Sequence, residues 1–202
     1  MIGPDRAAAP QPVERQLWLV RHGATDWAES GRHTGRTDVP LNETGREQAV
    51  TLGDRLRGRR FGLVLTSPLS RASDTARLAG FLDAEVDDDL SEWDYGDVEG
   101  MRTDEIRERL QGWTIWRGPW SGGEAIEDVA ARADRVLARA RSVDDDVLLF
   151  SHGHLLRVLA ARWLRLEPAA GGMLALSTAT ISLLGWERET PVIERWNEAC
   201  GA

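Results

Sequence analysis

The sequence contains only one cysteine, Cys200, which stands two residues from its C-terminal end. A chain with a single thiol forms no internal disulfide, and this cysteine usage is typical of a reducing compartment. No apolar stretch approaches the length that spans a membrane. The first fifteen residues lack the apolar core of a secretory signal peptide. These absences predict a cytoplasmic protein that has no membrane partner.

Positive charge is in deficit, because the formal net charge is −8 at pH 7. Proteins that bind nucleic acid or acidic membrane surfaces in general carry an excess of positive charge. The composition therefore argues against nucleic acid as a partner. A site that binds an anion in this chain must rely on cations that the fold gathers locally.

The 202 residues are enough for one domain with a substantial core. Residues 1–15 mix proline, alanine and charged residues, and we expect a disordered leader there; the alternative is an arm packed on the domain. No internal repeat of the solenoid type is visible. The sequence thus predicts a leader over residues 1–15 and a single domain over residues 16–202.

Basic side chains follow three short apolar runs. Residues 17–20 lead into Arg21-His22-Gly23, residues 147–150 into Ser151-His152-Gly153, and residues 63–66 into Ser67-Pro68 and then Arg71. Such runs are typical of strands buried on both faces, and open α/β sheets bind ligands at the carboxyl ends of these strands. Singly, each basic residue also fits a solvated strand end or a core hydrogen bond. Together they predict a cluster for a multiply charged anion, most commonly phosphate.

Helical and strand patterns alternate along the chain. Helices are predicted over residues 42–57, from Ser67-Pro68 onward, and over 103–110, 124–140 and 155–164. Asn42 is the predicted N-cap of the first helix and Thr103 that of the helix over 103–110. Further strands are predicted near residues 84–86, 178–186 and 192–196. The helix after Gly153 would place His152 near a helix N-terminus, where backbone donors favour an anion. This alternation predicts an α/β fold, a three-layer α/β/α sandwich with a mostly parallel central sheet.

Three loops stand out by composition. Residues 24–40 form a long polar loop with a cationic run, and long ordered loops are often functional. Residues 90–100 combine carboxylates, aromatics and glycines, as a loop that holds a carboxylic acid would; surface loops also often contain glutamate. Residues 113–123 carry three tryptophans among glycine and proline. They indicate either a lid or tryptophans that fix the loop to the core.

The ordered set of motifs resembles the histidine phosphatase superfamily, also called phosphoglycerate-mutase-like. The resemblance covers residues 17–196 and rests on Arg21-His22-Gly23, on Ser67-Pro68 with Arg71-Ala72, on Leu90 and Glu92 with Tyr95-Gly96 and Glu99-Gly100, and on Ser151-His152-Gly153. Residues 31–38 and 151–154 look most like the branch of broad acid phosphatases and sugar-bisphosphate phosphatases. Ala24, Ala28 and Leu69 depart from residues that relatives often carry, which leaves substrate recognition open.

The resemblance implies a role for ten residues. His22 would accept the phosphoryl group, Arg21, Arg71 and His152 would cradle it, and Glu92 would give a proton to the leaving oxygen. Thr34, Gly35, Tyr95, Gly153 and His154 match positions near the substrate. A neutral His22 also needs a hydrogen-bond acceptor that fixes its tautomer, and we expect a backbone carbonyl in the loop after Gly23.

These roles predict a histidine acid phosphatase-type enzyme, a phosphomonoesterase that hydrolyses small phosphorylated metabolites through a phosphohistidine. We expect no cofactor and no metal, because the arginines and His152 supply the positive charge. Metal binding by His152 and His154 is the weaker alternative, since the resemblance gives His152 another role. The oligomeric state stays open, with a homodimer as one option.

Two other functions remain as alternatives. A cofactor-dependent phosphoglycerate mutase would carry a longer segment before the second histidine, with extra cations for the substrate carboxylate. Here that segment is compact, and Arg117 is the one cation within residues 113–120. A non-catalytic binding protein on the same fold would be expected to lack a central residue, and all five are present.

Overall fold

The computed structural model describes residues 15–118 and 121–200. The predicted leader lies outside the described residues apart from Arg15, and the predicted boundary at residue 16 therefore stays a prediction. Arg15 forms an ion pair with Asp144 and donates a hydrogen bond of 3.1 Å to the carbonyl of Val143. Trp120, the third tryptophan of the 113–123 loop, also lies outside the described residues.

Six strands of the described residues form one central sheet. They are β1 (Leu17–Arg21), β2 (Leu63–Thr66), β3 (Glu85–Val86), β4 (Val147–Ser151), β5 (Thr180–Glu187) and β6 (Thr190–Ala199). Their order is β3-β2-β4-β1-β5-β6, and the pairs β3–β2, β2–β4 and β4–β1 are parallel. The pairs β1–β5 and β5–β6 are antiparallel. The predicted mostly parallel sheet is confirmed.

The described residues contain six α-helices, and the longer ones pack on the two faces of the sheet. The six are α1 (Asp26–Glu29), α2 (Glu43–Leu56), α3 (Ser70–Leu78), α4 (Thr103–Arg109), α5 (Ile126–Arg141) and α6 (Gly153–Trp163), with 3₁₀ turns at Asp88–Leu90, Gly96–Val98 and Pro168–Met173. Successive residues of a strand point to opposite faces. Trp18 and Val20 of β1 therefore pack in the cluster with α2 and α3, whereas Leu17 and Leu19 pack in the cluster with α5 and α6. This is the predicted three-layer arrangement.

One predicted helix start and one predicted helix cap are wrong, each because a side chain or backbone group is used elsewhere. The helix predicted from Ser67-Pro68 begins at Ser70, since the Ser67 N–H continues the sheet ladder to the carbonyl of Phe150 at 3.0 Å. Thr103 is the first residue of α4 rather than its cap. Its hydroxyl instead shares a hydrogen bond of 3.1 Å with Nε2 of His33.

Other boundaries shift by one to three residues, the largest shift being at the end of β6. The predicted cap Asn42 is confirmed, because its side chain accepts a hydrogen bond from the Gly45 N–H at 2.9 Å. Helix α1 was not predicted within the 24–40 loop; Thr25 caps it through a bond from the Ala28 N–H. Within the described ranges, no helix is both long enough and apolar enough to cross a membrane.

Candidate active site

The two histidines that follow β1 and β4 lie side by side. Because Arg21 is opposite Ser151 in the parallel register, His22 and His152 leave the sheet at the same edge. Their ring centroids are 5.2 Å apart, and both side chains are buried. The His22 N–H donates to the carbonyl of Ser151 at 3.0 Å. The parallel pairing of β1 with β4 thus joins two motifs that are distant in sequence.

Backbone geometry fixes the tautomer of His22. Its Nδ1 lies 2.7 Å from the carbonyl oxygen of Gly23, which only accepts, so Nδ1 carries the hydrogen. The acceptor is thus a backbone carbonyl, as predicted, but it belongs to Gly23 itself rather than to the loop after Gly23. Burial, followed by the charges of Arg21 and Arg71, holds the pKa of His22 well below its usual value. A neutral ring with hydrogen on Nδ1 has its lone pair on Nε2.

His152 is also neutral, and both of its ring nitrogens bond to protein groups. Nδ1 accepts from Nε of Arg71 at 3.2 Å, and Nε2 therefore donates to the hydroxyl of Ser67 at 2.7 Å. Burial first, then the charge of Arg71, lowers the pKa of His152 well below its usual value. His152 thus orients Arg71 and adds no positive charge, and its contact with a phosphoryl group stays a prediction.

Arg71 is fully buried and connects α3 with the 24–40 loop. Its Nη1 donates to the carbonyl of Thr37 at 3.0 Å, and its Nη2 donates to those of Thr34 and Gly35 at 3.2 and 2.9 Å. Burial lowers the pKa of Arg71. With the bond to His152, these contacts use four of its five N–H groups within the described residues.

Arg21 has fewer hydrogen-bond partners than Arg71. Its Nη1 donates to the carbonyl of Leu176, and its buried Nε has no hydrogen-bond partner within the described part of the chain. Burial lowers its pKa, opposed by the negative charge of Glu92. A buried guanidinium with unused donors is prepared to bind an anion.

Glu92 binds the N-terminus of α6. Its Oε1 accepts from the N–H groups of Trp93 and Leu155 at 2.9 and 3.0 Å, and its Oε2 accepts from that of His154 at 3.1 Å. The sequence predicted that these helix donors would favour an anion near His152. Two of them bind a carboxylate of the protein instead, which fixes the orientation of Glu92.

Arg132 of α5, which the sequence analysis missed, holds the loop before Glu92. Its Nη1 donates to the carbonyls of Asp89 and Ser91 at 2.8 Å each. Its Nε donates to the Glu124 carboxylate, also at 2.8 Å. Arg132 therefore holds the chain just before Glu92, and the N-terminus of α6 holds the Glu92 carboxylate itself.

A cavity of about 170 Å³ opens in front of His22. Seven of the ten predicted residues line it, namely Arg21, His22, Thr34, Glu92, Tyr95, Gly153 and His154. The other three, Arg71, His152 and Gly35, stand behind this lining, where Arg71 donates to both His152 and the Gly35 carbonyl. The lining residues that sequence reasoning missed include Arg32, His33, Arg157 and Leu176.

One wall of the cavity is made of neutral rings. The hydroxyl of Tyr95 and Nδ1 of His154 share a hydrogen bond of 2.6 Å, and the His33 ring stacks on that of His154 with centroids 6.0 Å apart. Burial lowers the pKa of His33 to about 4 and that of His154 well below its usual value. Burial also raises the pKa of Tyr95, so its phenol keeps its proton.

The tryptophans of the 113–123 loop pack inward. Trp113 is buried, and Trp116 contacts Trp93 and His154 with ring centroids 6.0 and 5.3 Å away. For these two tryptophans the alternative of fixing the loop to the core is confirmed. Trp116 also covers Gly172, where an added Cβ would meet its ring at 3.1 Å.

The alternative of a metal held by His152 and His154 is not supported. Both ring nitrogens of His152 already bond to Ser67 and Arg71. Across residues 15–118 and 121–200, no three histidine, cysteine or carboxylate side chains are grouped as metal ligands would be.

Comparison with known proteins defines the class to which this site belongs. The chain matches the sequence profile of the histidine phosphatase superfamily (branch 1) over residues 17–199, and it belongs to that superfamily. An acid phosphatase of Mycobacterium tuberculosis is 43% identical over 176 residues, which cover 85% of this chain and 87% of that protein.

Two further comparisons agree with this family assignment. A sedoheptulose 1,7-bisphosphatase of Saccharomyces cerevisiae is 35% identical over 72% of this chain and 66% of its own length. The solved structure of an open reading frame product from Mycobacterium tuberculosis superimposes with a TM-score of 0.89 at 39% identity, over 93% of this chain and 99% of that one. Family membership and these phosphatase relatives support phosphatase activity on phosphorylated substrates.

Proposed function

We propose that this protein is a histidine acid phosphatase-type phosphomonoesterase that hydrolyses small phosphorylated metabolites through a phosphohistidine on His22. The observation that carries the proposal is the state of His22. Its Nδ1–H is bonded to the Gly23 carbonyl and its pKa is depressed, so Nε2 is an unprotonated nucleophile beside the cavity. A neutral imidazole with a fixed tautomer is what nucleophilic attack on phosphorus requires.

The reaction follows in two displacements. Nε2 of His22 forms a bond to phosphorus while the bond from phosphorus to the ester oxygen breaks, and Glu92 in its acid form gives its proton to that oxygen. Water then attacks the phosphohistidine, Glu92 takes a proton from the water, and the N–P bond breaks to release phosphate. The ester and water become an alcohol and phosphate, and His22 and Glu92 return to their starting states.

Arginines stabilise the charge of the transferred group. Phosphoryl transfer spreads negative charge over three equatorial oxygens, and preorganised cationic donors lower the energy of that state. Arg21 has unused donors at the cavity, and Arg71 keeps one N–H without a protein acceptor in the described ranges. His152 would bind the same oxygens after exchanging a bond it now makes to Ser67.

The small cavity supports a small substrate. Its volume of about 170 Å³ lies below the range of about 300–1,000 Å³ that is typical for drug-sized ligands. The acid phosphatase and bisphosphatase relatives support the same substrate class. The proposed location is the cytoplasm, in keeping with the single cysteine.

A panel of phosphorylated glycerols, glycerates, sugars and nucleotides, assayed for released phosphate, tests this function. We expect release from several small esters and none above background from the His22→Ala variant. Release from no ester by the wild-type protein would contradict the proposal. Isomerisation of 3-phosphoglycerate that outruns phosphate release, in the presence of its bisphosphate cofactor, would favour the mutase alternative.

A further inference from the structure

Two partly buried cations line the cavity without a carboxylate partner. Arg21 and Arg157 both face it, and no carboxylate lies within ion-pair distance of either guanidinium among residues 15–118 and 121–200. The proposed reaction uses Arg21 for the reacting phosphate. It gives Arg157 no task, although this residue is one turn along α6 from His154.

Arg157 is held in place by neutral groups. Its Nε donates to the carbonyl of Gly171 at 3.0 Å, and its Nη2 donates to that of Gly172 at 3.2 Å. The guanidinium lies 4.5 Å from the centre of the Trp116 ring. No hydrogen bond forms at Nη1 within the described part of the chain. The side chain is thus fixed on one side and has donors to spare on the other.

The charge of Arg157 is only partly compensated. Burial lowers its pKa, yet an arginine side chain stays protonated in proteins. A partly buried cation is costly unless an opposite charge or hydrogen bonds offset the loss of water. Glu92 acts on it from a distance, but the Glu92 oxygens already accept three backbone N–H groups. Arg32, the other cation of the lining, is exposed to water.

We propose that Arg157 binds a second anionic group of the substrate, a carboxylate or a phosphate, while His22 and Arg21 engage the phosphate that is transferred. This inference rests on the proposed function and names its substrate class, small phosphate esters with a second anionic group. With Glu92 in its acid form, the three arginines of the lining carry one positive charge more than a phosphate dianion neutralises, and such a group would balance that charge. The ring wall of Tyr95 and His154 then faces the uncharged middle of the substrate.

Matched pairs of esters test the proposal. One pair is 3-phosphoglycerate and glycerol 3-phosphate, which differ in a carboxylate; the other is fructose 1,6-bisphosphate and fructose 6-phosphate, which differ in a phosphate. For each pair the readout is the ratio of the two kcat/KM values. A general folding fault lowers both values and cancels in the ratio, so the ratio reports recognition of the second anion.

The wild-type protein should prefer the member with the second anion in at least one pair, and that pair identifies its chemistry. Arg157→Gln should lower this ratio about ten- to hundredfold, as expected for loss of a charge-assisted hydrogen bond. Arg157→Lys should keep part of the preference, because it keeps the charge. Arg162→Gln is the matched control: this arginine lies on the same helix, pairs with Asp134 and should leave the ratio unchanged.

Two results would overturn the proposal: no preference in either pair for the wild-type protein, or a preference that Arg157→Gln leaves intact. If Arg157→Gln fails to fold, the wild-type preference and the Arg157→Lys ratio decide. Release of phosphate from no ester of the wider panel described above, these four included, would contradict the proposed function instead. In that event the same ratios, taken from Kd values measured by calorimetry, test Arg157 separately.

Discussion

All four histidines of the chain, His22, His33, His152 and His154, lie in the candidate site, and each has a lowered pKa. Burial is the largest cause in every case, so the site contains neutral imidazoles beside arginines. Neutrality matters most at His22, where it leaves Nε2 free to attack. The positive charge that a phosphate needs therefore comes from arginine alone.

Glu92 can be tested as the proton donor by changing the leaving group. An alkoxide leaving group needs a proton, whereas a nitrophenolate leaves without one. Glu92→Gln should therefore lose about a hundred- to ten-thousandfold in kcat on an alkyl phosphate and far less on nitrophenyl phosphate. Steady-state kinetics on both substrates measures this difference.

The comparison of two substrates is needed because Glu92→Gln also disturbs the hydrogen bonds that hold this side chain. Both carboxylate oxygens accept backbone N–H groups, and an amide nitrogen in either place leaves a donor unpaired. Glu99→Gln is the matched control, since that carboxylate lies in the same loop and accepts from Thr37 N–H at 2.6 Å. Equal losses on both substrates for Glu92→Gln would indicate a positioning role.

Among the elements, α2 shapes the site although it contributes no side chain to the cavity. Gly45 of α2 lies against the loop after β1, and an added Cβ would meet the Ala24 carbonyl oxygen at 2.1 Å. A Cβ on Gly23 would likewise meet the Gly45 carbonyl oxygen at 2.4 Å. The two backbones thus touch where the Gly23 carbonyl holds His22.

Gly45→Ala should therefore lower activity at a distance from the cavity. Helix propensity alone predicts that this change stabilises α2 by up to about 1 kcal/mol. The close contact instead predicts a loss of about 1–3 kcal/mol, with a lower kcat because the carbonyl that fixes His22 moves. Urea unfolding and kinetics measure both effects. Val50→Ala, an exposed change on the same helix, should leave kcat unchanged and change stability by less than about 1 kcal/mol through helix propensity; a stabilised and fully active Gly45→Ala would contradict this account.

The elements themselves could be predicted well, because apolar periodicity and caps such as Asn42 are local signals. The binding of the Glu92 carboxylate to the N-terminus of α6 and the neutral state of His152 could not be predicted, since both depend on contacts between distant segments. Arg157 is an intermediate case. Its spacing of three residues after His154 places both on one helix face, but no local signal in the sequence indicates that this face lines the cavity.

On the scale of the whole molecule, buried neutral histidines link stability to pH. Each imidazole has a pKa near 6.5 in the unfolded chain and a lower one in the folded protein, so the unfolded state binds more protons below about pH 6.5. This contribution to stability is complete above that pH. It is lost as the pH falls, for His33 down to about pH 4.

We expect the free energy of unfolding to fall between pH 7 and pH 5 by up to about 1.4 kcal/mol per pH unit for each such histidine. Urea titrations at several pH values measure the slope. His33→Gln removes one titrating group and should make the slope shallower by up to that amount. An unchanged slope in this variant would show that His33 titrates alike in both states.

The protein as a whole is acidic, yet it gathers three arginines at one cavity, and this supports an activity that needs no added metal. Arg21, Arg32 and Arg157 line the cavity and Arg71 stands behind the lining, so side chains supply the positive charge there. We therefore expect phosphate release to continue at its full rate after dialysis against a strong chelator. A loss that Mg²⁺ or Zn²⁺ restores would contradict this prediction.

The central claim is that His22 carries the phosphoryl group, and rapid chemical quench with a radiolabelled phosphate ester tests it most directly. We predict labelled protein within the first turnover, with a linkage that is labile in acid and stable in alkali, mapped to His22 by peptide analysis. His22→Ala should bind the ester and take up no label. Label retained by His22→Ala, or held in an acid-stable linkage, would contradict the account.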